Sequence, residues 1–247
     1  MKQLASLTTV LATCLALMAC GGSTDPGNGG GNGGGNGGGD GGGDGGGDGG
    51  GDEPTPTMIA VASGDGQTGK TLESLGQPLV VRVTDANGDD VAGATVNWTI
   101  AAGDGTVTPS STTNAQGQAS GGFTGGTSLG PSTVEARVTG VAQPAIFTVD
   151  VSTLVVRMAN TAFVGPGGGD DVSVPVGATV EWVNEDLGLQ HTATSTSTPA
   201  DGDAFDTGLV NYENRGSFAP AVEGTWTYRC DVHPLQMAGA TITATGG

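Results

Sequence analysis

Positive charge is what this chain of 247 residues has least of: seven Lys and Arg stand against 25 Asp and Glu, a net charge of −18. A nucleic-acid partner is excluded on that ground, because a basic footprint supplies most of such affinity. Electrostatic docking on an anionic lipid surface is disfavoured for the same reason; a basic partner protein is not. Aromatic residues are 4% and charged residues 13% of the chain. Long helix formers are few while Val, Thr and Gly are abundant, which points to an all-β fold. Beyond residues 4–19 the chain has no apolar run as long as a membrane-spanning helix needs, so no later segment is expected to cross a bilayer. Histidine and cysteine are rarest of all, two and three residues, and they carry most of the chemical information.

Glycine is plentiful but uneven. Of 49 glycines, 21 lie between Cys20 and Glu53, in GGGN and GGGD repeats that build no core. Upstream, residues 1–20 read MKQLASLTTVLATCLALMAC, with one Lys, an apolar run too short to span, and then Leu17-Met18-Ala19-Cys20 before Gly21. This start resembles a bacterial lipoprotein signal. The resemblance implies cleavage after residues 1–19, loss of Cys14 with the signal, and lipidation of Cys20. The mature protein is then expected to be exported and anchored by lipid to the cell envelope, facing the periplasm or the cell surface. Ordinary secretion with a free Cys20 is the alternative. Residues 20–56 read as a flexible tether with an r.m.s. reach of about 5–6 Å × √n, or roughly 30–35 Å. Asp40, Asp44, Asp48 and Asp52 recur at every fourth position and repel one another. Calcium is disfavoured there, because calcium repeats carry denser acid and an interleaved apolar position.

Residues 57–152 change to alternation. Leu79, Val81 and Val83 alternate with Val80, Arg82 and Thr84; Val96, Trp98 and Ile100 with Asn97, Thr99 and Ala101; Val134, Ala136 and Val138 with Glu135, Arg137 and Thr139. A period of two marks half-buried strands. The segments DANGDD (85–90), GDG (103–105) and NAQG (114–117) are turn chemistry. Such short strands read as an antiparallel sandwich. The phrases PLVVRVTDANGDDVAGATVNWTI, STTNAQGQAS and STVEARVTG resemble the bacterial Ig-like domain of the invasin/intimin type. That family implies a spacer or an adhesive stalk. The segment has neither His nor Cys, so it offers no obvious catalytic group, and Trp98 is expected in the core.

Residues 153–247 hold the chemistry. Val172, Val174 and Val176, then Val180, Trp182 and Asn184, then 225–230 and 240–244 read as strands of a second all-β unit. Both histidines lie here, with Cys230, the one thiol outside the signal and its cleavage motif. The order is His191, Cys230-x2-His233-x3-Met237. An exported protein with one spare Cys has no disulfide partner for it, and a lone thiol invites oxidation. A metal bond gives it a use. Thiolate with two imidazoles and a long axial thioether is the donor set of electron-transfer copper sites. Cys230 closes one strand, His233 and Met237 follow on a short loop, and His191 starts another strand after the 184–190 loop.

The phrases VSVPVGATVEWVNEDLGLQHTAT and GSFAPAVEGTWTYRCDVHPLQMAGATITA resemble a cupredoxin of the plastocyanin/azurin type. The resemblance implies a Greek-key β-barrel with one type 1 copper ion. On it, His191, Cys230 and His233 are the equatorial ligands and Met237 the axial one. The family often has Asn after the first ligand His, bracing the copper loop; here Thr192 stands there with a smaller hydrogen-bonding group.

The expected function is a membrane-tethered blue-copper protein that transfers single electrons. The ring edge of His233 is the expected electron port, with Leu187, Leu189, Pro234 and Leu235 as an apolar docking collar. Residues 153–247 carry eleven acids and three Arg, so a basic or neutral redox partner is expected, and a monomer. A copper-delivery lipoprotein, or an adhesive or structural stalk, are the competing readings. An enzyme is the least favoured: copper oxidases and nitrite reductases need a second site rich in His, and none remains after His191 and His233.

Overall fold

The computed structural model describes residues 54–246, so the expected signal, Cys20 and almost all of the tether lie outside the described residues. The described chain is all-β, and no helix in it is long and apolar enough to cross a membrane. Ten strands come first: β1 (Met58–Ser63), β2 (Gln67–Lys70), β3 (Leu79–Thr84), β4 (Thr95–Ala102), β5 (Gly105–Val107), β6 (Ser110–Thr112), β7 (Gln118–Gly121), β8 (Phe123–Gly125), β9 (Gly130–Val138) and β10 (Ala145–Ala159). Seven follow: β11 (Ala162–Val164), β12 (Val172–Pro175), β13 (Thr179–Asn184), β14 (Thr194–Ser197), β15 (Arg215–Phe218), β16 (Gly224–Arg229) and β17 (Ala238–Thr245).

In the first half, β1, β3 and β7 form one sheet, and β6, β4, β9 and β10 run side by side in another. The alternating residues of both sheets meet in one core built on Leu79, Val81, Trp98, Val134 and Phe147, joined by Phe123 of β8, which pairs with β5. Trp98 lies inside it, as expected, and its indole N–H donates to Ser111 Oγ at 2.8 Å.

Strand β10 is common to both halves. It pairs antiparallel with β9 over 145–151 and parallel with β13 over 153–158. It gives Ala145, Phe147, Val149 and Val151 to the first core and Leu154, Val156 and Met158 to the second, with Val155 buried between them. The parity changes at Ser152 and Thr153, where its pairing with β2 slips by one residue. An extra residue at such a bulge turns the following side chains to the other face. The expected division at 152/153 falls at this point, inside β10.

In the second half, β15, β13, β10 and β11 share a sheet, and β12, β17, β16 and β14 form another. Their inward residues, with Phe205 from a connecting segment, make an aromatic-rich core. Trp182 stacks on Phe205 with centroids 5.2 Å apart and meets Tyr228 edge-on at 5.4 Å. Such pairs add about 0.5–1.5 kcal/mol each to the burial of their area. This core is the platform from which β13 and β16 deliver the loops of the site. Both halves also meet through side chains: Lys70 Nζ lies 2.8 Å from Glu181, and Arg215 bonds Glu73 at 2.7 Å as well as Glu181.

Candidate metal centre

Asn184, the last residue of β13, organises the first loop. It is fully buried, and its amide Nδ2 donates to the carbonyls of Leu189 and Val210, both at 2.8 Å. Its Oδ1 accepts the backbone N–H of Asp186 at 2.8 Å. The loop is thus wound around one buried side chain before it reaches His191. Backbone bonds in both directions between His191 and Val210, at 3.2 and 2.8 Å, then fix the histidine. His191 stands in this isolated bridge rather than at the start of a strand as expected; β14 begins only at Thr194. The difference is local, since His191 pairs with the Val210 segment before the chain turns to join β16.

The second loop is equally short. Cys230 follows directly on β16, and its N–H donates to the carbonyl of Met237 at 2.9 Å. The carbonyl of His233 accepts from the N–H groups of Gln236 and Met237 at 3.2 and 2.9 Å. These bonds close the 230–237 segment into a tight turn over β16 and β17. Met237 is buried beside it, in the same core cluster as Cys230.

The two loops bring His191, Cys230 and His233 together, with their ligand atoms all within 4.8 Å of one another. Sγ of Cys230 lies 3.7 Å from Nδ1 of His191 and 3.7 Å from Nδ1 of His233. The imidazole centroids are 4.8 Å apart and inclined at 46°. His191 and Cys230 are fully buried and His233 partly so. Two nitrogens and one sulfur facing a common point, lined by the apolar core, form a donor set that suits a soft, borderline metal such as copper.

Thr192 supplies the brace that the departure from Asn put in question. Its Oγ1 accepts the N–H of Asp231 at 2.8 Å, and its own N–H donates to Cys230 Sγ at 3.3 Å. One residue therefore ties the two loops and also hydrogen-bonds the sulfur. Such a bond to a donor sulfur tunes a bound metal.

Sequence reasoning missed Asp186. Its Oδ2 lies 3.0 Å from His191 Nε2. Burial alone would raise the carboxyl's affinity for protons, but hydrogen bonds from the N–H groups of Thr161 and Asn160, with His191 beside it, hold it below the usual carboxylate range. For His191 burial dominates and lowers its pKa, with Asp186 opposing and the neighbouring His233 adding to the fall. A neutral imidazole is the form that binds metal. An acid five residues before a histidine, across a loop, was the available signal.

The expected docking residues lie on the same two loops. Leu187 and Leu189 flank Gly188 just before His191; Pro234 and Leu235 follow His233. All four are exposed, Leu187 at 80% and Leu235 at 92%. Exposed Leu209 and Tyr212, which no sequence pattern marks, flank the Val210 segment that pairs with His191.

Residues 76–151 match the family described as bacterial Ig-like domain (group 1), within the segment for which that resemblance was read. Similar solved structures include a Cu(I) form of an amicyanin point mutant, 22% identical over 38% of this chain and 83% of that one, with a TM-score of 0.32. A reduced amicyanin mutant gives 22%, 38%, 83% and 0.33. Amicyanin from Paracoccus versutus gives 22%, 38%, 81% and 0.32. A comparison with curated proteins finds no match.

Proposed function

We propose that this chain is a membrane-tethered blue-copper protein that carries one electron at a time. The observation that carries the reading is the convergence of Cys230 Sγ with Nδ1 of both His191 and His233 at 3.7 Å, in a site prepared by backbone bonds. His191, Cys230 and His233 would hold the ion, with the Met237 thioether as a weak fourth donor. Copper, when bound, supplies the Cu(II)/Cu(I) couple.

The chain's own residues do the rest. Asn184 and Thr192 hold the loops at fixed separation, so the donors need little rearrangement between oxidation states. The buried sulfur of Cys230, were it to hold the ion, would couple it into β16. His233, the most exposed of the three donors, is the port, and Leu187, Leu189, Pro234 and Leu235 around it let a partner approach and expel water. Arg157, Arg215 and Arg229 are each ion-paired with acids, so residues 153–247 present net negative charge to a basic or neutral redox partner. The lipid on Cys20 and the tether over 20–56 would keep the protein at the cell envelope, with the Ig-like unit as spacer. The role is that of a carrier and not of a catalyst.

The test is the visible and EPR spectrum of the purified chain after addition of Cu(II), beside Cys230→Ser. An intense thiolate-to-copper band with narrow hyperfine splitting, lost in the variant, supports the reading. A colourless protein, or an ordinary tetragonal Cu(II) signal that survives the substitution, overturns it. Rapid exchange of the copper into a chelator, without reduction by any redox protein, would favour copper delivery.

A further inference from the structure

Asp186 is held from four directions. Its N–H is taken by Asn184 Oδ1. Its Oδ1 accepts the N–H of Asn160 at 2.7 Å, and its Oδ2 accepts that of Thr161 at 2.9 Å. Oδ2 also faces His191 Nε2 at 3.0 Å. Asn160 and Thr161 are the two residues of the tight turn between β10 and β11, with φ of 53° and 54°. A left-handed pair is what a two-residue hairpin needs, but a β-branched residue adopts it only under constraint. That turn aims two adjacent N–H groups at one carboxylate, which makes it a small anion-binding nest. The carboxylate is therefore placed by the backbone, independently of the imidazole beside it.

We propose that Asp186 is the positioning residue for His191: its carboxylate accepts a hydrogen bond from Nε2–H and so locks the ring in the orientation and tautomer whose Nδ1 lone pair faces Cys230. A carboxylate accepts and does not donate, so the proton of a neutral His191 must sit on Nε2. That leaves Nδ1, the nitrogen 3.7 Å from Cys230 Sγ, as the free lone pair. A carboxylate behind a metal-binding imidazole fixes its orientation and makes it a stronger donor. The negative charge also favours the more positive oxidation state of a bound ion. The metal consequences rest on the function proposed above; the tautomer does not.

The experiment uses two variants of the full chain. Asp186→Asn keeps the shape and removes the charge; Asp186→Ala removes both. Nitrogen-15 NMR of the metal-free protein is expected to show His191 protonated at Nε2, with that proton slow to exchange, and to show mixed tautomers and fast exchange in Asp186→Ala. With copper, Asp186→Asn is expected to have a higher reduction potential than the parent, and Asp186→Ala to bind about 10–100-fold more weakly. A parent His191 protonated at Nδ1, or an unchanged tautomer in Asp186→Ala, overturns the proposal. So does an unchanged potential in Asp186→Asn. If the parent takes up no copper while the tautomer depends on Asp186, the copper reading falls and the positioning role stands.

Discussion

Thr192 shows how much one hydroxyl can do at this site. It accepts the Asp231 N–H that follows Cys230, and its backbone donates to the sulfur itself. Thr192→Val keeps the shape and loses the acceptor. A hydrogen bond of this kind is worth about 0.5–1.5 kcal/mol, so the metal-free variant should be less stable by that amount, read as a lower urea midpoint, while Thr192→Ser stays near the parent. His191 makes a second prediction. Its folded pKa lies below the unfolded value because burial disfavours the cation. Above the unfolded value, about 6.5, both states are neutral and pH has no effect through this group. As pH falls through that value the unfolded chain takes up a proton that the folded chain resists, so stability present above it is lost below. Thermal melts of the metal-free protein between about pH 7.5 and about pH 5.5 should show a fall that His191→Gln reduces. An equal fall in both would mean that other groups carry it.

At the scale of elements, alternation marked β3, β4, β9, β12, β13, β16 and β17 to within a few residues, because side-chain direction in a strand has a period of two whatever the rest of the chain does. Bulges are not written that way. The change of parity within β10 follows from its pairing with β2, some 80 residues earlier in sequence by the register Val149 to Gln67. Close packing between elements is likewise silent in sequence. A Cβ on Gly121 of β7 would sit 2.7 Å from the ring of Trp98 in β4. Gly121→Ala should therefore cost about 1–3 kcal/mol through overpacking, read as a lower denaturant midpoint. No change would mean that the indole can swing aside freely.

At the scale of the whole described chain, the two halves are joined less by charge than by backbone. The described residues fall in one compact unit, and β10 is a ladder partner of both halves. The ion pairs between the halves are partly exposed, with Lys70 and Arg215 side chains at 37% and 36%. Such pairs contribute about 0–1 kcal/mol. Calorimetry of the chain is expected to show one cooperative transition, and Lys70→Ala to move it only slightly. Two well-separated transitions in the parent would contradict the shared strand as a mechanical link.

What the sequence by itself determined was local or compositional: strand phase, turn positions, the acidic balance, and the gathering of both His, the spare Cys and a Met into one ordered pattern. These survive without knowledge of tertiary contacts, because periodicity and spacing act over a few residues. Tertiary structure alone decided that Asn184 winds the first loop, that Thr192 braces Asp231 across 39 positions, and that the 160–161 turn holds Asp186 behind His191. Each of these is a hydrogen bond between segments brought close by the packing of two sheets. Its geometry depends on where those sheets meet, which no short stretch of sequence encodes.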